Sequence, residues 1–101
     1  EERGYEMVDM DAIIHCQSES NYTHVFLRDK RRLLVSKTLK DIGALLEDPP
    51  FFRVHDSHII HMDRISRYIR GDGGELIMEN GQNVPVSRSK KEELLARIKK
   101  G

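Results

Sequence analysis

The sequence predicts a mainly β, antiparallel domain carrying two short helices. Three observations lead there. Apolar residues come in short runs or alternate with polar ones, as in Tyr22-Thr23-His24-Val25-Phe26-Leu27, which is the two-residue period of a half-buried strand. Turn-forming clusters recur at Asp48-Pro49-Pro50, Gly71-Asp72-Gly73-Gly74 and Asn80-Gly81, too often for long helices or βαβ units. Helical spacing is confined to Leu39, Ile42 and Leu46 and to Leu94, Leu95 and Ile98.

Taken in order, Gly4 to Val8 reads as a short strand. Ile13 to Cys16 reads as a buried strand running into polar residues 17–21. In Tyr22 to Leu27, alternation puts Tyr22, His24 and Phe26 on one face and Thr23, Val25 and Leu27 on the other. Residues 28–31 form a hairpin turn into Leu33-Leu34-Val35. Thr38 caps the first helix, with Asp41 three residues on. Asp48-Pro49-Pro50 stops it, because proline lacks the amide donor and restrains its predecessor. Phe51 to Val54 and His58 to Ile60 are short strands. Ile65 to Arg70 and Glu75 to Glu79 form a hairpin around the glycine-rich turn. Asn80-Gly81 predicts a two-residue turn with positive φ at both positions. Asn83 to Val86 returns as a strand in which Pro85 suits an edge. Ser89 and Glu92 have capping-box spacing for the last helix, which leaves Arg88 just outside it.

The 101 residues fit a single domain, 1–101. The chain begins at Glu1 rather than Met, which predicts a piece cut from a longer protein. Net charge is zero, yet the signs are separated: residues 1–20 carry six acidic and one basic side chain, 28–40 six basic and one acidic, and 86–100 six basic and two acidic. Such separation can present a local positive field to phosphate. The single cysteine, Cys16, excludes a disulfide framework and a CxxC zinc pair, and fits a cytoplasmic protein. No apolar run has membrane-spanning length.

Three constellations carry chemistry. The first is Arg88-Ser89-Lys90-Lys91 at the start of a helix, where the macrodipole disfavours cations and free amides favour an anion. Arginine also matches the guanine O6/N7 edge or a phosphate in a bidentate way. The second is Asn21-Tyr22-Thr23-His24, four hydrogen-bonding side chains at a strand mouth. The third is His55-Asp56-Ser57-His58 with His61. A metal site is one reading of these histidines, but on extended chain a spacing of three sets His55 and His61 against His58, and no Cys or Glu cluster completes a ligand set. Satisfied core histidines are the bland reading. No phosphate loop precedes a helix, and Cys16 reads as a small core residue, so catalysis is not predicted.

The order and spacing of Ile14 through Asn21-Tyr22, Lys37-Thr38-Leu39, Phe52-Arg53-Val54-His55-x-Ser57, Ile60-x4-Ile65, and Asn80-Gly81 followed by Pro85-Val86-Ser87-Arg88 resemble the LytTR-type DNA-binding domain of bacterial two-component response regulators. The resemblance runs from about Met10 to Ile98. It implies a LytTR-like β-sandwich of elongated antiparallel β-sheets that binds DNA through loops rather than through a groove-filling helix. Three loop groups are then expected to face DNA, around His24, around Asp56-Ser57 and around Arg88. His24 and Arg88 match base-contacting positions; Lys37, Ser57, Ser89, Lys90 and Lys91 match the phosphate side, with Asn21, Tyr22 and His55 beside them. Two residues depart from the family pattern: Asp56 stands where a basic residue or Asn is usual, and His61 where Asn is usual.

The resemblance also implies partners: double-stranded promoter DNA with repeated sites, two copies bound as a dimer on DNA, and an upstream receiver domain. No cofactor is implied. The rival reading is a β-rich protein-interaction module that docks through an exposed edge or the Tyr22 face.

Overall fold

The computed structural model describes residues 7–100. Among them lie β1 (Ile13–Glu19), β2 (Tyr22–Leu27), β3 (Arg32–Val35), α1 (Leu39–Leu45), β4 (Phe51–His55), β5 (His58–His61), β6 (Ile65–Ile69), β7 (Glu75–Met78), β8 (Asn83–Pro85) and α2 (Arg88–Lys100). Most of the strand expected from Gly4 to Val8 lies outside the described residues, and Met7 and Val8 have no regular structure.

The strands form two antiparallel sheets, one in the order β3-β2-β1-β5-β4 and one in the order β6-β7-β8. The domain is elongated, 46 × 25 × 23 Å, as expected. The five-stranded sheet is the spine, with a core on each face. On one face Cys16, Val25, Leu27, Phe51 and Ile59 pack against Leu39, Ile42 and Leu46 of the α1 segment. On the other, Ile14, Phe52, Val54 and Ile60 pack against Leu76, Met78 and Val84 of the small sheet and Leu94 of α2. Removing apolar area from water on both faces is the main stabilising term. No helix among the described residues is long and apolar enough to cross a membrane.

Two strands of the five-stranded sheet carry a bulge. In β1, Ile13 pairs with Leu27 and His15 with Phe26. Two steps on β1 therefore match one on β2, and Ile14 is the extra residue of a bulge. A regular strand would turn Ile14 toward Cys16; the bulge sends it to the opposite core. In β4, Arg53 pairs with Ile59 and His55 with His58, leaving Val54 as the extra residue. Its backbone carbonyl falls outside the ladder and needs another donor.

Local signals hold at α1. The Thr38 hydroxyl accepts from the Asp41 amide at 3.2 Å. Among the described residues β8, which holds Pro85, is an edge strand paired only to β7, where the missing N–H is harmless.

Three expectations need correction. The last helix begins at Arg88, not after a cap at Ser89, so Arg88 is its first residue; the Lys90 amide donates to the Ser87 carbonyl at 3.0 Å. The Asn80-Gly81 turn is longer than two residues. Only Gly81 has positive φ, at 86°; its amide donates to the Met78 carbonyl at 2.8 Å, and the Met78 amide to Gln82 at 2.9 Å, the pattern of an ordinary turn closed by a left-handed glycine. Residues 17–19 extend β1 rather than leaving it.

Candidate nucleic-acid interface

Chain direction gathers the predicted residues at one end of the spine sheet. β1 ends at Glu19 and turns through Ser20-Asn21 into β2. β4 ends at His55 and turns through Asp56-Ser57 into β5. Because β1 pairs antiparallel with β5, the two turns are neighbours: the Ser18 amide donates to the Ser57 carbonyl at 2.9 Å. β3 also ends there, and the Thr23 hydroxyl donates to the Lys37 carbonyl at 2.8 Å.

One cross-strand row runs along this end. His24 pairs with Gln17, Gln17 with His58, and His58 with His55. Directly paired residues share a face, and this face is the one that α2 and the small sheet cover. His55 and His58 therefore meet across a hairpin, ring centroids 5.5 Å apart, rather than lying on opposite faces as a continuous strand would put them. The correction does not create a metal cage: among the described residues no three of His, Cys, Asp and Glu are grouped to hold an ion. Burial, then the neighbouring His55, holds His58 down at about 4; burial, then His58, does the same to His15. Both are neutral near pH 7.

The two side chains expected to read bases differ in freedom. The His24 ring is largely covered, its Nε2 against a Glu19 carboxylate oxygen and its Nδ1 buried without a partner among the described residues. Glu19 is itself mostly exposed, so it can yield that nitrogen to another acceptor. Tyr22 and Asn21 beside it are exposed. Arg88, by contrast, is 79% exposed.

The placement of Arg88 follows from the β4 bulge. The unpaired Val54 carbonyl accepts the Ser87 amide at 2.9 Å and the Ser87 hydroxyl at 3.0 Å. That pair of hydrogen bonds pins the residue before α2 to the strand carrying His55, on the face that holds His24. Strands lie about 4.8 Å apart, so β2 and β4, three spacings apart, are separated by roughly 14 Å. The β6–β7 turn supports α2 from the other side. The Val86 amide donates to the Gly74 carbonyl at 3.1 Å. A Cβ on Gly73 would come within 2.2 Å of the Val86 carbonyl oxygen, so only glycine fits.

The remaining candidates divide. Asp56 is exposed and Ser57 half-buried. The Ser57 amide donates to His55 Nδ1 at 3.0 Å, so neutral His55 carries its proton on Nε2. Ser89 is exposed; Lys90 leans over the Phe52 ring, 5.8 Å from its centroid, and Lys91 donates to the Gly71 carbonyl at 3.3 Å. Lys37 shares the end but approaches from the α1 face. The basic run is split: Arg28, Lys30, Arg31 and Arg32 lie at the opposite end of β2 and β3, around an open groove of about 590 Å³.

Sequence reading missed four residues that shape the end. Gln17 lies in the histidine row. Glu19 meets His24, and Asp72 lies 3.4 Å from Arg88. Arg53 braces the hairpin by donating from Nε to the His55 carbonyl at 3.3 Å and from its guanidinium to the Asp56 carbonyl. Arg53 stood inside a quoted motif, but only the bulge reveals its task.

Comparison with known proteins gives the family and the fold. The family model of the LytTr DNA-binding domain matches residues 3–99. The heme-containing CO-sensing transcriptional regulators RcoM 2 and RcoM 1 of Paraburkholderia xenovorans (strain LB400) are 30% and 31% identical over 91 residues, 87% of this chain and 34% of each relative. The chain thus spans about a third of the length of these curated relatives. A LytTr DNA-binding domain from Bacillus cereus, described as part of a methyl-accepting/DNA response regulator, superposes with a TM-score of 0.75 at 22% identity, covering 90% of this chain and 84% of that one.

Proposed function

Because the chain belongs to the LytTr DNA-binding domain family, we propose that it is a sequence-specific DNA-binding module controlling transcription, the output domain of a two-component response regulator acting in the cytoplasm. The observation that carries this reading is the convergence of His24, the Asp56-Ser57 turn and Arg88 on one end and one face of a single sheet.

The mechanism is binding. Arg88 enters a major groove and donates to a guanine edge, and His24 donates from Nε2 once Glu19 gives way. Lys37, Lys90 and Lys91 flank them and displace counterions from phosphate, while Asn21, Tyr22, His55, Ser57 and Ser89 supply shorter polar contacts. Asp56 repels phosphate but accepts from cytosine N4, so its turn selects bases rather than adding affinity. The partner is promoter DNA with repeated sites, two copies bound, and an upstream receiver domain controls occupancy. The named relatives are transcriptional regulators, which supports the genetic role.

The test is selection from a random duplex library at two salt concentrations. A recovered motif whose affinity exceeds that of random duplex at both salts is the expected result; a pool with no enriched motif refutes the reading. Exposed Leu34 on edge strand β3 and exposed Tyr22 favour the second reading, a protein-interaction module, which predicts weak DNA affinity that does not select sequence.

A further inference from the structure

We propose that Asp72 is a specificity-determining positioning residue, holding Arg88 in a reading posture and cancelling its charge toward phosphate. The inference rests on the DNA-binding reading above. Asp72 Oδ2 lies 3.4 Å from an Arg88 terminal nitrogen, and both side chains are mostly exposed. An exposed pair alone contributes little to stability, and stability is not its task here.

The backbone places Asp72 deliberately. Its turn is seated against the start of α2 through three contacts: the Val86 amide on Gly74, the Gly73 Cα against the Val86 carbonyl, and the Lys91 amine on the Gly71 carbonyl. Ser87 is fixed from the opposite side by Val54. With the main chain clamped on both sides, Asp72 and Arg88 cannot drift far apart.

A guanidinium has five N–H donors in a planar fork. Asp72 engages one terminal nitrogen, which leaves donors for a base edge. The carboxylate does two things at once. It limits the rotamers Arg88 must give up on binding, which favours a site offering the matching guanine edge. It also places a negative charge beside the arginine, so the pair is close to neutral for a phosphate that has no geometric preference. Specific binding gains orientation; random binding loses a cation.

The experiment compares wild type with Asp72→Asn, and with Asp72→Glu as rescue, on the selected duplex and on random duplex across a salt series. In Asp72→Asn, random-duplex affinity rises about two- to fivefold, the scale of an exposed ion pair, and the random-duplex salt slope steepens by about 1. Affinity for the selected duplex rises less or falls, so the specific-to-random ratio drops. Asp72→Glu restores most of that ratio. An unchanged ratio and slope in Asp72→Asn, with wild type still selecting its motif, overturns the role of Asp72 alone. A wild type that selects no motif overturns the DNA-binding reading and this inference with it.

Discussion

The Val54 carbonyl accepts two hydrogen bonds from one residue, the amide and the hydroxyl of Ser87. The strand bulge that frees this carbonyl is thereby joined to the start of α2. Ser87→Ala keeps the amide bond and loses the hydroxyl bond. Stability should fall by about 1 kcal/mol in urea unfolding. Affinity for the selected duplex should fall further than affinity for random duplex, because Arg88 loses part of its support.

Gly73→Ala tests the other support. The added methyl carbon meets a backbone oxygen at 2.2 Å, and backbone gives way less easily than a flexible side chain. The expected destabilisation is about 1–3 kcal/mol, the range for overpacking, read as a lower urea midpoint at unchanged m-value. A wild-type midpoint would show that the turn is not seated as described.

Arg88→Ala should weaken specific binding by about 1–3 kcal/mol while leaving folding nearly unchanged, since its side chain is exposed. Titration of selected and random duplex measures it; an unaltered ratio between them would remove Arg88 from base reading.

Lys91→Ala should lower the salt slope of binding by about 1. Lys90→Ala should do the same and also lose packing on Phe52, as Lys91→Ala loses its bond to the Gly71 carbonyl, so both lower the melting temperature slightly. Identical slopes for wild type and both variants would reject the phosphate contacts.

Stability should depend on pH through His15 and His58. Both are held near 4 in the folded chain, below the ordinary value of about 6.5. Between those values the unfolded chain binds protons that the folded chain refuses. Stability is therefore complete above about pH 6.5, falls as pH is lowered toward 4, and loses nothing more from these groups below that. His58→Gln should flatten the slope in this window, and urea midpoints measured from pH 4 to 7 decide it. Asp11, whose carboxyl His61 and Arg64 hold below its usual range, acts only at lower pH.

Strands β1 to β8 and both helices were legible because each has a local cause: alternation in residues 22–27, the Thr38 cap, glycine and proline at several turns; the three loop groups were picked out by their polar side chains and by the family resemblance. What escaped depends on pairing. Period-two reading cannot show that Ile14 and Val54 are extra residues, since a bulge is defined by the partner strand. The same blindness set His55 against His58, for a two-residue turn had folded the chain back between them. Ser89 attracted the helix start by its spacing to Glu92, while the deciding bond came from Val54, far away in sequence. Charge runs misled for a related reason: residues 28–32 are basic, but a hairpin carries them to the far end of the sheet.

The row from His24 through Gln17 and His58 to His55 is ruled by main-chain hydrogen bonds, and that gives it the properties of a rigid gauge. Under the DNA-binding reading, an operator has to present its two contacted base steps at the interval set by that gauge, and inserting one base pair between them abolishes recognition by a single domain. The distance from one domain's site to its neighbour's is governed by no such ladder and has room to vary.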